Sequence, residues 1–166
     1  MLALLEMKLA ETNKTAAMEG IKNIQDTNKE KELVAKLLNE ARQAKADAKN
    51  GQPSDKTVTY TRADGSTYTE TAKKGNTWTH MSNEMVQYMD KNKLAYDKTG
   101  NDHMHTSEEW DVAITSLQSR LDSLGADTQT KMVQINDYMG QYNSYLQGAN
   151  SQISKANDAL TTIVRG

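Results

Sequence analysis

From Trp110 to Ile163 apolar residues recur at steps of three and four almost without a break: Trp110, Ile114, Leu117, Leu121, Leu124, Thr128, Met132, Ile135, Met139, Tyr142, Leu146, Ala149, Ile153, Ala156, Leu160 and Ile163. Residues at that spacing share one face of an α-helix, so the run predicts one long amphipathic helix and excludes a strand-based reading of the C-terminal third. The steps alternate four and three except at Thr128, where two four-residue steps follow each other as a stutter does in a heptad pattern. Because Gly125, Gly140 and Gly148 leave the phase intact, a single helix of about 55 residues is expected, roughly 80 Å long at the usual rise. A helix of that length needs another helix alongside it.

The partner is at the other end of the chain. Leu2 to Lys49 reads as a second helix, with Leu2, Leu5, Leu9, Ala16, Ile21, Ile24, Val34, Leu38 and Ala41 close to one face. Asn50-Gly51 stops it and Pro53 opposes continuation, while Asn13, Gly20 and Asn28 are weak points within it. The expected architecture is mainly α: two long helices in an antiparallel coiled-coil hairpin, with a small α+β insert containing a β-hairpin. The helices occupy residues 1–49 and 106–166, and the insert residues 50–105.

Within the insert, residues 57–71 alternate Thr with Val58, Tyr60 and Tyr68 around Ala63-Asp64-Gly65. Gly65 in a left-handed conformation closes a bulged type I turn, and that register pairs Tyr60 with Tyr68. Ser82 caps a short helix over about 83–91; Leu94-Ala95-Tyr96 reads as a brief strand, followed by a loop from Asp97 to His105. Thr106 and Glu109 form a capping box that opens the long C-terminal helix.

Composition agrees with narrow seams in place of a thick core. Hydrophobic residues make up 36% and mean hydropathy is −0.81; Phe is absent, and nine Met and seven Tyr supply the bulk. Lys+Arg 20 against Asp+Glu 22 leaves a net charge of −2, so there is no basic field to draw the chain to nucleic acid. Without Cys there is no disulfide framework, thiolate nucleophile or zinc–thiolate site. No apolar run approaches the roughly 20 residues of a membrane span, and the opening Met-Leu-Ala-Leu-Leu is too short for a signal-peptide core. The amphipathic pattern is already running at Met1, so a longer natural N-terminus is expected.

Charge separates the two long helices. The first alternates signs densely, with Glu6, Lys8, Glu11, Lys14, Glu19, Lys22 and Lys29-Glu30-Lys31-Glu32, as a solvated helix does. From Thr128 to Val164 only Lys131, Asp137, Lys155 and Asp158 are charged. A helix thinned of charge on all sides, with Gly140, Ser144 and Gly148 for close approach, fits burial among other helices. Met132, Ile135, Met139, Tyr142, Leu146, Ala149, Ile153 and Leu160 are therefore the candidate self-assembly or helix-packing residues.

Motifs for chemistry are weak. Asp97-Lys98-Thr99-Gly100 has the sequence of a phosphorylated-aspartate motif but lacks the α/β setting that chemistry needs. Asp97, Thr99, Asn101 and Glu108 fall at calcium-loop offsets, yet Asp102 stands where Gly makes the sharp turn. His103 and His105 are expected to be polar and exposed, and His80 has no Ser or Asp constellation around it. The sequence nominates no catalytic residue, cofactor or metal ligand, and a non-enzymatic interaction protein is the expectation.

The order of elements, with SNEMVQYMDKNKLAYDKTGN (82–101) and DTQTKMVQINDYMGQYNSYLQGANSQISKANDAL (127–160), resembles the hydrophilic translocators of bacterial type III secretion systems. The likeness is greatest to the EspA-type filament proteins and more distant to the needle-tip proteins. It implies a secreted structural protein at the bacterial cell surface, extending or capping the secretion needle and linking it to the host-membrane translocation pore. Its implied partners are other copies or needle subunits, pore-forming translocator proteins and a dedicated secretion chaperone. It also implies that the Met132 to Ile163 stripe lies in an assembly core and Thr57 to Asn101 faces outward. The family's N-terminal secretion segment and preceding helix have no counterpart here, and the Thr57 to Thr71 hairpin is an elaboration. An intracellular coiled-coil adaptor or secretion chaperone, binding another helix in a groove, is the alternative.

Overall fold

The computed structural model describes residues 1–165, the side chain of Asn101 excepted. It is mainly helical. The elements run α1 (Leu2–Asn50), β1 (Lys56–Thr61), β2 (Thr67–Ala72), β3 (Trp78–His80), α2 (Asn83–Lys91), β4 (Met104–Thr106) and α3 (Trp110–Arg165), with one 3-10 turn at Thr99–Asn101. The long N-terminal helix packs on the C-terminal helix, and the strands form two small antiparallel sheets, β1 with β2 and β3 with β4. No helix among the described residues is long and apolar enough to cross a membrane.

The chain divides into two units, one of Met1–Lys29 with Leu124–Gly166, the other Glu30–Ser123. In the first, only helix meets helix. A Cβ on Gly20 would lie 2.7 Å from Ile135 Cγ1 and one on Gly148 2.9 Å from Glu6 Oε1. Lys131 Nζ reaches Thr27 Oγ1 at 3.4 Å. Contact positions thus ascend along α1 as they descend along α3. The fully buried side chains are small: Ala10, Ala17, Thr27 and Ala149, with Leu124 the largest.

The second unit has a conventional core. Val34, Leu37, Leu38, Ala41, Ala44 and Ala48 of α1 and Trp110, Ala113 and Leu117 of α3 are buried, as are Met81, Met85 and Met89 in and before α2. Methionine suits this junction of helices and short strands because its unbranched side chain fills irregular gaps. Polar threads fasten the layers. Trp110 Nε1 donates to Thr79 Oγ1 at 2.8 Å, Thr79 Oγ1 donates to the carbonyl of Ala44 at 2.9 Å, and Tyr60 Oη donates to the carbonyl of Met81 at 2.6 Å. Glu30 Oε1 accepts from Tyr88 Oη and from Nε and Nη2 of Arg120, which ties α1 to α2 and α3 within this unit.

The hairpin has the register expected from Gly65: Tyr60 pairs with Tyr68, and Gly65 sits at φ +83°. Its N–H donates to the carbonyl of Arg62, and Arg62 N–H to the carbonyl of Ser66, the bonds of a three-residue bulged loop. Strand alternation then sends Tyr60 and Ala72 inward and leaves Thr57, Thr59, Thr61, Thr67, Thr69 and Thr71 exposed, cross-strand pairs throughout. Ser82 Oγ accepts from Met85 N–H at the start of α2, and Thr106 and Glu109 exchange both capping-box bonds.

Two expectations for the insert are corrected. Leu94 to Tyr96 is not a strand: Lys93 takes φ +54° and Leu94 N–H bonds back to the carbonyl of Met89, so the chain wraps the end of α2. The segment read as loop up to His105 instead supplies β4, which pairs Trp78 with Thr106, Thr79 with His105 and His80 with Met104.

Candidate functional site

The candidate assembly residues separate into two columns on α3. Ile135, Tyr142 and Leu146 are half-buried and Ala149 fully buried, so these belong to the contact with α1. Met132, Met139, Ile153 and Leu160 are 54, 38, 44 and 59% exposed. These four, with Leu146, form an unbroken series in which each residue follows the last by seven. One apolar side chain in every seven supplies one of the two seam positions of a coiled-coil heptad, and four of these five are exposed along the first unit while Leu146 is half-buried.

The inward column is Leu124, Thr128, Lys131, Ile135, Tyr142, Tyr145, Ala149 and Gln152. It shares every seventh position with the expected stripe but lies one residue earlier at the alternate positions. Periodicity cannot discriminate adjacent columns when both are apolar, since a helix of 3.6 residues per turn drifts across a 3.5-residue repeat. Lys131 holds the place expected of Met132: its half-buried stem lies along the seam and its amine reaches Asp127 at 2.7 Å.

The same displacement occurs on α1. Leu2, Leu5, Leu9 and Ile21, read as the seam, are 53, 54, 37 and 46% exposed. The residues facing α3 are Ala3, Glu6, Ala10, Asn13, Ala17, Gly20, Ile24 and Thr27, all half or fully buried. Small and polar side chains therefore make the seam, and the large apolar ones remain outside with Leu4, Met7 and Met18. Gly20, read as a weak point in the helix, is instead where Ile135 packs against the backbone, and Gly148 does the same for Glu6. Gly140 meets nothing within 4 Å. A groove of about 260 Å³ opens beside Met132, lined by Ile21, Ile24, Gln25, Ile135 and Asn136.

The motif residues of the insert are engaged locally. The Asp97 carboxylate accepts from Thr99 N–H and the Asp102 carboxylate from Met104 N–H, both two residues on. Among the described residues no three His, Asp or Glu side chains converge to hold a metal. His103 and His105, expected to be exposed, are half-buried and 1% exposed, and His80 is 2% exposed. The strand pairing of β3 with β4 carries His80 and His105 into the core, and no local sequence signal marks a pairing of three-residue strands so far apart. Comparison with family models, with curated protein sequences and with solved structures gave no match.

Proposed function

We propose that the chain is a non-enzymatic structural subunit whose helices form an antiparallel coiled-coil hairpin and which assembles with further helices through the outward heptad column Met132, Met139, Leu146, Ile153 and Leu160. The observation that carries this reading is that column itself. Met132, Met139, Ile153 and Leu160 are 38–59% exposed and Leu146 is half-buried, while the fully buried positions of the intrachain contact beside them are Ala10, Ala17, Thr27 and Ala149. Burying the half of such a side chain that is still exposed is worth about 0.8–1.5 kcal/mol, so several in register contribute several kcal/mol to an oligomer. The near absence of charge from Thr128 to Val164 removes the usual opposition to burying that helix on all sides.

The resemblance to hydrophilic translocators supports reading such a subunit as lying outside the bacterium, as part of a filament or tip that extends the type III secretion needle toward the host-membrane pore. Pore-forming translocators and a chaperone that keeps the stripe covered before export are its partners in this reading. The test is a pair of variants, Met139→Asp and Ile153→Asp, compared with the wild type for assembly by electron microscopy and for translocation from secreting cells. Loss of both activities in a folded, secreted variant supports the proposal. Intact assembly would refute the column, and retention of the wild-type protein in the cytosol would favour an adaptor or chaperone.

A further inference from the structure

Only three histidines occur in the chain, and all lie in the second unit around one buried spot. His80, at the end of β3, has a side chain 1% exposed, and neither of its ring nitrogens has a hydrogen-bond partner among the described residues. Its Nδ1 lies 3.2 Å from Glu70 Oε2 on β2, out of hydrogen-bonding alignment, and that oxygen is itself buried without a partner. His103 Nδ1 is a further buried nitrogen with none. Among the described residues, four of the six orphaned buried side-chain atoms are thus concentrated where the hairpin meets the second sheet. Natural cores leave few such atoms unpaired, and a cluster of them calls for a physical role.

Among the described residues no three ligating groups converge there to hold a metal. The geometry points instead to a proton-operated latch. We infer that His80 is the acid-sensitive fastening of the β1–β2 hairpin: neutral, it packs in the core, and on taking a proton it drives the hairpin off β3 and β4.

The surroundings decide the sign. The Tyr60 ring of β1 lies 6.4 Å from the imidazole and the Trp78 ring 5.5 Å away, nearly perpendicular to it. The charged and titratable groups facing His80 are Glu70 from β2, Lys56 from β1, and Asp102, His103 and His105 from the segment forming β4. Burial holds His80 below the ordinary histidine range and outweighs the pull of Asp102, with His103, Lys56 and His105 adding repulsion. Burial also holds His103 low. Glu70 is pushed up, by burial first and then by Asp102. A histidine depressed in the fold binds its proton more readily when the hairpin is released, so stability is present above the free value near 6.5 and falls as the pH drops below it. Glu70, raised, works in the opposite direction closer to its free value of 4.5, so the two act in different parts of the acid range.

The test is amide hydrogen exchange on the full-length chain between about pH 7.5 and pH 5.5, with ring-proton NMR of the three histidines in the same samples. At pH 5.5 a released His80, with its free value near 6.5, is about nine-tenths protonated, so hairpin protection is expected to fall by up to about tenfold when the packed ring stays neutral there. Protection factors at Thr57 to Thr71 are expected to fall while those of α1 and α3 hold, and His80→Gln is expected to abolish the fall. Glu70→Gln, which removes the anion that eases a proton onto His80, is expected to deepen it and serves as the second variant should His80→Gln not fold. Protection independent of pH in the wild type, or a fall unchanged in His80→Gln, or one that vanishes only in His103→Gln, would overturn the latch.

Discussion

Thr79→Val removes one hydroxyl from the second unit and tests whether polar threads fasten it. Thr79 is 2% exposed and Trp110 fully buried, so valine fits the volume but strands the indole N–H, which now donates at 2.8 Å. A buried donor without a partner costs about 1–3 kcal/mol. The carbonyl of Ala44 also loses a donor, but it lies inside α1 and keeps the forward helical bond, so it adds little. The total of about 1–3 kcal/mol corresponds to a fall of about 2–12 °C in Tm for a chain of this length. Urea unfolding followed by tryptophan emission reads the right region, since Trp78 and Trp110 are the only tryptophans and both lie in the second unit. Thr59→Val on the exposed face of the hairpin is the control and should stay within about 0.5 kcal/mol. Equal stability of Thr79→Val and the control would refute the claim that the Trp110–Thr79–Ala44 thread anchors β3.

Three further outcomes are expected. Arg120→Met takes two of the three donors from Glu30 Oε1 and should cost about 1–3 kcal/mol, measured by the same unfolding curves. Burial alone would raise Glu30, but the hydrogen bonds from Arg120 and Tyr88 and the guanidinium charge outweigh it and hold the carboxyl low. Its stabilisation is therefore present above its free value of 4.5 and lost as pH falls through the folded value, a loss that should vanish in Glu30→Gln. Gly65→Ala forces an L-residue to φ +83° and should weaken the hairpin by about 1–2 kcal/mol, seen as faster amide exchange at Tyr60 and Tyr68. Thr106→Ala breaks the capping box ahead of α3 and should cost about 1 kcal/mol of stability in the same unfolding curves.

What was legible in the sequence was local. The hairpin register follows from one glycine that must take a left-handed conformation, α2 from Ser82 and its spacing of methionines, and the start of α3 from the Thr106–Glu109 box. Each is decided by residues within a few positions of each other. The existence of two long helices was equally plain from the three-and-four spacing. Which column faces inward was legible in the second unit, where Val34, Leu38, Ala41, Trp110 and Leu117 are buried as read, but not in the first, where both helices carry two apolar-compatible columns and the chain uses the smaller one. Leu5 and Met132 looked like seam residues by size, whereas Gly20 and Lys131 occupy the seam because close backbone approach and a buried lysine stem fill it. The burial of His80 and His105 depends on the β3–β4 pairing, which joins short segments on either side of α2 and leaves no periodicity to read. Lys93 at positive φ likewise turned an apparent strand into a helix-end wrap.

Sedimentation velocity across a concentration series, on the wild type and on Met139→Asp with Ile153→Asp, tests the assembly column most directly. The account predicts that the wild type sediments as a growing oligomer while the double variant stays a folded monomer with unchanged helix content by circular dichroism. Identical association of the two proteins would contradict it.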